Sequence, residues 1–270
     1  MEKYDVKFKK KYGQNFLKNL NLVEKIVNVA DLDKESLVIE VGPGGGIMTR
    51  ELASRAKNVL AYEIDEELKE ELFLRTKDYP NVQVLFQDFL KSNIVDDIKN
   101  YSYDKLFFIS NVPYYITTPI IEKIIESHLS FHKIVLMVQK EVGDRFSSSP
   151  GSKSYGSISV FLQTFYDIKK EFFVSRKNFV PEPNVDSVII SLTENQHRDS
   201  VKDFDIYQKL IRDCFQFKRK TLKNNLKNYP LSLIEPILIK HGFSLSSRAE
   251  QLPYSVFVEM ANQLYEHSMK

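Results

Sequence analysis

Residues 36–46 read SLVIEVGPGGG, an apolar, strand-forming run that ends in a glycine-rich turn. The apolar spacing of the residues that follow, 47–56, predicts a helix, and residues 58–62 form a second apolar run typical of a strand. Further strands are predicted at 82–86, 105–110, 133–138, 158–165 and 187–192. Because strands that alternate with helices are joined by right-handed crossovers, this order predicts a parallel sheet with helices on both faces.

The pattern from residue 193 onward is helical, and further helices are predicted at 207–217, 219–227, 231–241 and 256–265. With 270 residues, the chain is long enough for one large domain or two unequal ones. We therefore predict an α/β domain at residues 1–195 and a small all-α domain at residues 196–270.

Composition excludes several classes of protein. A single cysteine, Cys214, rules out an intramolecular disulfide, and because the histidines show no ligand spacing, no metal site is predicted. No apolar stretch is long enough to span a bilayer, and the charged N-terminus lacks the apolar region of a signal peptide. We therefore expect a cytoplasmic protein that has no membrane partner.

Charge is unevenly distributed along the chain, although the formal net charge is only +2. Residues 1–20 contain six lysines against two acids, a net +4, and residues 208–228 contain seven basic residues against one aspartate, a net +6. The rest of the chain therefore carries about −8. Basic runs serve either as solvated helix faces or as phosphate-binding surfaces, and charge alone leaves both interpretations open.

Acidic residues end the second and third predicted strands. Glu63 lies 21 residues beyond Gly42, the spacing at which an acid binds ribose hydroxyls in nucleotide-binding α/β folds, and Asp88 ends the next strand. Because ligands bind at the carboxyl ends of parallel strands, we expect Gly42, Glu63 and Asp88 to converge. The spacing is not that of a dinucleotide fingerprint, since residue 47 is isoleucine. A nucleoside ligand without a pyrophosphate, such as S-adenosylmethionine, is favoured.

The tetrapeptide Asn111-Val112-Pro113-Tyr114 follows the fourth predicted strand. The exocyclic amine of adenine is a poor nucleophile, and hydrogen-bond acceptors can position it and favour the positive charge that develops during methyl transfer. The Asn111 side-chain oxygen and the Pro113 carbonyl are such acceptors, and Tyr114 offers a flat ring for an extruded base. This chemistry needs orientation rather than a metal or a covalent nucleophile.

With these motifs, the chain resembles the ribosomal RNA adenine dimethyltransferase family of KsgA type. The resemblance extends over almost the whole chain and is carried by KYGQNFL at 11–17, IEVGPGGGIMT at 39–49, YEID at 62–65, QDFL at 87–90, NVPYYITTPII at 111–121, MVQKEVGDR at 137–145, SKSYGSISV at 152–160, FVPEPNVDSVI at 179–189 and FKRKTLKNNL at 217–226. It implies a Rossmann-like S-adenosylmethionine-dependent methyltransferase fold, with a mostly parallel seven-stranded sheet and an all-α, rRNA-binding C-terminal domain.

The resemblance also implies roles for individual residues. Cofactor contacts are implied at Asn15, Leu17, Gly42, Glu63, Asp88 and Asn111, with Glu63 on the ribose hydroxyls and Asp88 on the adenine amine. The catalytic residues that hold the target adenosine would be Asn111, Pro113 and Tyr114. Substrate contacts are implied at Phe179, as the opposite wall of the base pocket, and at Lys153, Tyr155, Arg219, Lys220 and Lys223. Tyr115 departs from the asparagine common in bacterial members.

The function implied is methyl transfer from S-adenosylmethionine to the amino groups of two adjacent adenosines near the 3′ end of small-subunit (16S) rRNA. The expected partner is this rRNA within a pre-assembled 30S subunit, and the enzyme is expected to be a monomer. The leading alternative is a large-subunit rRNA adenine dimethyltransferase of the macrolide-resistance type. A DNA adenine methyltransferase, a non-catalytic binding module of the same fold and an NAD-dependent dehydrogenase are further alternatives, which the motifs favour less.

Overall fold

The structure, a computed structural model, describes residues 14–195 and 200–269. The strands in these ranges are β1 (Phe16–Leu17), β2 (Ser36–Val41), β3 (Asn58–Glu63), β4 (Val82–Phe86), β5 (Lys105–Asn111), β6 (Lys133–Gln139), β7 (Tyr166–Val174), β8 (Phe179–Val180) and β9 (Ser187–Glu194). The helices are α1 (Leu20–Asn28), α2 (Ile47–Arg55), α3 (Lys69–Thr76), α4 (Ile94–Ile98), α5 (Thr117–Glu126), α6 (Lys140–Phe146), α7 (Ser157–Phe165), α8 (Phe204–Cys214), α9 (Leu222–Asn225), α10 (Leu231–Lys240) and α11 (Tyr254–Ser268).

Seven strands form one sheet in the order β4-β3-β2-β5-β6-β9-β7. The pairs from β4 to β6 are parallel, and β9 is antiparallel to β6. The prediction of a mostly parallel, seven-stranded sheet is therefore confirmed. The chain adds β3 and β4 on one side of β2 and then adds β5 and β6 on the other. This reversal makes the carboxyl ends of β2 and β5 the place where such folds bind ligands.

Alternate residues of the sheet face two separate cores. In β5, Phe107 belongs to the cluster that contains Leu52 of α2. The next residue, Phe108, packs its ring 5.8 Å from that of Phe89 on the opposite face, and Lys123 of α5 lies over Phe89 at 5.7 Å. Because neighbouring residues of a strand point in opposite directions, both faces of the sheet are covered, which explains the continuous apolar run in β5.

The chain divides into two compact units. Unit 1 contains the described residues up to Gly143 together with Lys169–Glu194, and unit 2 contains Asp144–Ile168 and the described residues from Asn195 onward. The last strand of the sheet ends at the predicted boundary near residue 195. Residues 144–168, which precede that boundary, nevertheless group with the C-terminal helices.

Aromatic packing explains why that segment belongs to unit 2. Phe161 of α7 stacks on Tyr207 of α8 with centroids 6.5 Å apart, and it also contacts Phe204 at 5.7 Å. The Thr164 and Tyr207 hydroxyls share a buried hydrogen bond. These contacts are internal to unit 2 and join α7 to a helix that follows it by about 40 positions in sequence.

Two predicted elements differ from the structure. Residues 158–165 form helix α7 instead of the predicted strand, and β7 begins directly after it. This run is short and mostly apolar, with Ser159, Gln163 and Thr164 as its polar residues, so its periodicity does not distinguish a strand from a buried helix. The helix predicted at 219–227 is limited to α9, because residues 215–221 form a loop between α8 and α9.

A second, two-stranded sheet lies within unit 1. Its strands β1 and β8 are antiparallel, with Phe16 opposite Val180 and Leu17 opposite Phe179. It fixes part of the motif at 11–17, whose first residues, like most of the basic segment 1–20, lie outside the described residues.

Neither a membrane-spanning helix nor a cluster of metal ligands occurs in the part of the chain that the structure describes. No helix within 14–195 and 200–269 has the length and apolar character needed to cross a membrane. In the same ranges, no group of three or more His, Cys, Asp or Glu is placed to hold a metal ion.

Candidate active site

A cavity of about 260 Å³ lies in unit 1 at the carboxyl ends of the parallel strands. The residues around it follow β2, β3, β4 and β5, and it lies where the strand order reverses. The predicted residues that line it are Asn15, Leu17, Gly42, Glu63, Asp88, Asn111, Pro113 and Tyr114. The fold therefore brings together every residue predicted for the cofactor and for catalysis.

The turn after β2 depends on glycine at position 44. Gly44 has a φ of 54°, in the left-handed region that side chains disfavour. A Cβ atom at this position would lie 2.7 Å from Cε1 of Phe16. The absence of a side chain therefore allows the Phe16 ring to pack directly on the turn, and both residues line the cavity.

The Glu63 carboxylate is held by backbone donors. The backbone N–H of Gly44 donates to Oε2 at 3.2 Å, and the backbone N–H of Asp65 donates to Oε1 at 2.9 Å. Burial raises the pKa of Glu63, and these two donors oppose that effect. Each carboxylate oxygen keeps a further acceptor site, so the group can accept hydrogen bonds from paired hydroxyls of a ligand.

Asp88 combines a structural and a binding position. Its Oδ1 accepts a hydrogen bond from the backbone N–H of Leu90 at 3.0 Å, and this bond caps the short 3₁₀ helix Phe89–Lys91. Its Oδ2 lies 4.0 Å from the exposed Lys91 ammonium, a long contact. Because an ionised carboxylate has about four acceptor sites, the cap leaves Asp88 able to bind a ligand in the cavity.

The Asn111 amide is oriented by the N-terminal segment. Its Nδ2 donates to the backbone carbonyl of Asn15 at 3.1 Å, across 96 positions of sequence. Because this bond uses one N–H of the amide and fixes its orientation, the side chain offers Oδ1 to a ligand as an acceptor. This is the arrangement that positioning an amine requires.

The residues after Asn111 form a tight turn. The Pro113 carbonyl accepts a hydrogen bond from the backbone N–H of Ile116 at 3.1 Å, and the Thr117 hydroxyl lies 3.5 Å from it and 3.3 Å from the carbonyl of Tyr114. The Tyr114 hydroxyl forms a 2.7 Å hydrogen bond with Ser187 of β9, which restrains its ring. Burial raises the pKa of Tyr114, and the Ser187 contact opposes the shift. The next ring, Tyr115, is 57% exposed and also lines the cavity.

Glu40 was not singled out from the sequence, yet it lines the same cavity. It lies within β2 and is 1% exposed, and neither carboxylate oxygen has a hydrogen-bond partner within the described ranges. Burial raises the pKa of Glu40 to about 8. The charge of Glu63 also raises this pKa, and the nearby Thr49 hydroxyl lowers it. The sequence signal was an acid inside an otherwise apolar strand, which is rare without a partner. Such a group suits a polar or cationic ligand.

The structure does not bring Phe179 to the cavity. This residue is 1% exposed and belongs to the hydrophobic core of unit 1. In the two-stranded sheet, Phe179 of β8 lies opposite Leu17 of β1. The structure thus places this ring in the core, and its role as a wall of the base pocket stays a prediction.

The remaining predicted substrate residues belong to unit 2. Tyr155 is 4% exposed and its hydroxyl donates to the carbonyl of Leu252 at 3.0 Å, so its side chain anchors the loop that carries it. Within that loop, the backbone N–H of Gly151 donates to the carbonyl of Glu250 at 2.7 Å. The residues that present exposed charges are Lys153, Arg219, Lys220 and Lys223.

Comparison with known proteins identifies the family. The model of the family described as "Ribosomal RNA adenine dimethylase" matches residues 5–266. The chain belongs to the ribosomal RNA adenine dimethylase family. The family and the enzyme class predicted from the sequence are confirmed. The cavity is lined by residues from five of the nine motifs that carried the resemblance.

Curated relatives of this dimethylase match over nearly their full lengths. It is 45% identical to "Ribosomal RNA small subunit methyltransferase A" of Thermotoga neapolitana over 263 residues. The matched region covers 97% of this chain and 94% of the relative. It is 40% identical over 279 residues to the protein of the same name from Bacillus cereus, with coverage of 100% and 95%.

Solved structures show the same fold. A dimethyladenosine transferase from Plasmodium falciparum superposes with a TM-score of 0.77 at 26% identity, covering 94% of this dimethylase and 98% of that chain. The 23S rRNA methyltransferase ErmE superposes with a TM-score of 0.69 at 25% identity, covering 93% and 100%.

Proposed function

We propose that this dimethylase transfers methyl groups from S-adenosylmethionine to the amino groups of two adjacent adenosines near the 3′ end of small-subunit rRNA. The observation that carries the proposal is the orientation of Asn111. Its amide nitrogen is bonded to the Asn15 carbonyl, which leaves Oδ1 to accept from an adenine amine at the switch-point cavity.

The chemistry of the cavity wall fits S-adenosylmethionine. Its acidic residues Glu40, Glu63 and Asp88 favour a cationic nucleoside over a nucleotide phosphate. The Glu40 carboxyl, which forms no hydrogen bond within residues 14–195 and 200–269, suits an ammonium group, and the backbone-held Glu63 carboxylate suits the two ribose hydroxyls. Asp88 would accept from the adenine amine of the cofactor. When bound, the cofactor supplies an electrophilic methyl group on a sulfonium.

The residues of the catalytic loop act on the substrate amine. Asn111 Oδ1 and the Pro113 carbonyl accept its two hydrogens and so direct the nitrogen lone pair. The same acceptors would stabilise the positive charge that develops on the amine nitrogen during methyl transfer. Tyr114, restrained by Ser187, offers its ring to the extruded base.

Similarity favours the small subunit as the substrate. Relatives at 40% to 45% identity bear the small-subunit name, whereas the large-subunit enzyme ErmE is 25% identical. The large-subunit alternative is therefore not favoured. A pre-assembled 30S subunit as the acceptor, a monomeric enzyme and a cytoplasmic location are parts of the proposal that follow from the resemblance.

A labelling experiment tests the proposal. Methyl-labelled S-adenosylmethionine is supplied with unmethylated small subunits, large subunits or duplex DNA, and the labelled base is identified by mass spectrometry. We expect label on two adjacent adenosines of small-subunit rRNA, and none when Asn111→Ala replaces the wild type. Label on large subunits or on DNA instead would refute the substrate assignment.

A further inference from the structure

One exposed aromatic ring lies within the most basic part of unit 2. The loop between α8 and α9, residues 215–221, contains Phe217, which is 56% exposed. Directly after it come three exposed basic residues, none of which forms an ion pair within residues 14–195 and 200–269: Lys218, Arg219 and Lys220. Packing in the hydrophobic core does not explain this phenylalanine, because more than half of its surface is exposed to solvent.

The loop presents this ring from a restrained backbone. The carbonyl of Phe217 accepts from the backbone N–H of Lys220 at 2.9 Å and from Nδ2 of Asn225 at 3.4 Å. Asn225 is 9% exposed and also donates to the carbonyl of Cys214 at 2.7 Å, so it ties both ends of the turn to the end of α8. Less conformational entropy is therefore lost when the loop binds a partner.

The nearby Phe215 shows what a structural ring does in this loop. Its ring stacks on Phe257 of α11 with centroids 5.8 Å apart and also contacts Tyr155 at 6.5 Å. Phe215 thus anchors the loop to the helices, while Phe217, two positions later, stands exposed among the cations. The two rings of one loop have opposite environments.

We propose that Phe217 is a stacking residue for an unpaired nucleotide of the rRNA, with the three cations that follow it on the flanking phosphates. Cations alone recognise the sugar-phosphate backbone, and an aromatic ring recognises the face of an unstacked base. A base inside a duplex offers no free face, so the combination selects single-stranded RNA. The inference rests on the proposed function, because it takes small-subunit rRNA as the partner.

Salt dependence separates the ring from the cations. We expect Phe217→Ala to bind unmethylated small subunits about ten-fold more weakly, with an unchanged slope of log K against log salt, because a ring releases no counterions. Lys218→Gln should instead reduce that slope by about one. Phe217→Trp should bind like wild type, and Phe217→Leu should be as weak as the alanine variant, because stacking needs a flat ring.

The matched control is Phe73→Ala. Phe73 is 69% exposed but lies on α3 beside Glu70 and Glu71, where RNA is not attracted. Binding by this variant should equal that of wild type. Thermal unfolding of all variants checks that the fold is retained.

A photo-crosslinking phenylalanine analogue at position 217 identifies the partner directly. A cross-link to an unpaired rRNA nucleotide supports the inference. A cross-link to a ribosomal protein, full binding by Phe217→Leu, or wild-type affinity of Phe217→Ala would overturn it. If the wild-type enzyme methylates small subunits while Phe217→Ala binds normally, only this inference fails. If the wild type does not act on small subunits, the proposed function fails as well.

Discussion

The buried carboxyl of Glu40 makes stability depend on pH in a way that one substitution should abolish. Its pKa is about 8 in the folded protein, compared with a usual value of 4.5. The folded state therefore binds more protons than the unfolded state between these two values, and stability falls as pH rises from about 4.5 to about 8. At about 1.4 kcal/mol per pKa unit, the loss reaches about 3 kcal/mol at pH 7 and about 4 kcal/mol at pH 8.

Glu40→Gln keeps the size of the side chain and removes the ionisation. At about pH 5, where wild-type Glu40 is protonated in the folded state, we expect the two free energies of unfolding to agree within about 1 kcal/mol. At about pH 8, the variant should be more stable by about 4 kcal/mol, measured by urea unfolding. The control, Glu70→Gln, removes the same charge from an exposed position and should show no such change. An equal offset at both pH values would refute the reasoning.

The same substitution tests the proposed role toward the cofactor. An ammonium group beside Glu40 favours its ionised form, so binding of S-adenosylmethionine near pH 7 should release a proton in the wild type. Calorimetry in two buffers of different ionisation enthalpy measures that release. We expect Glu40→Gln to lose the proton release and to bind the cofactor at least about ten-fold more weakly, because a neutral amide replaces the anion. Unchanged proton release in the variant would assign it to another group.

The remaining predictions concern the catalytic loop, the glycine turn and the basic residues. Asn111→Ala should retain most cofactor affinity, by calorimetry, but lose at least about a hundred-fold in methyl-transfer rate, because an acceptor for the amine is gone; wild-type rates would contradict its role. Gly44→Ala should lower stability by about 1–3 kcal/mol and weaken cofactor binding, because the new Cβ displaces Phe16. The control is Gly242→Ala, because Gly242 also has a positive φ but has open space where a Cβ would lie. This variant should lose less stability than Gly44→Ala, and equal losses of stability would refute the clash with Phe16. Neutralising the exposed cations Arg219, Lys220 and Lys223 should weaken subunit binding and reduce its salt dependence without changing cofactor affinity. An unchanged slope of log K against log salt would count against phosphate contacts by these residues.

Much of the fold was predictable because its signals are local. The apolar run of β2, the glycine turn and the acids Glu63 and Asp88 lie within a few residues of the elements that position them. A parallel sheet then brings these strand ends together by its topology alone. Helix α7 was not predictable in this way, because a short apolar run fits a buried helix as well as a strand.

The sequence alone determined which chemistry this protein carries. It supplied a nucleoside-type glycine turn, an acid for ribose hydroxyls and an acceptor loop for an amine, all of which depend on residue type and spacing. Only the tertiary structure decided how these groups are charged and aimed. The bond from Asn111 to Asn15 joins distant segments, and the elements around β2 bury the Glu40 carboxylate, which forms no hydrogen bond within the described residues. The same folding placed Phe179 in the core and left Phe217 exposed among cations. Burial is set by every element that covers a residue, and residue spacing along the chain does not encode it.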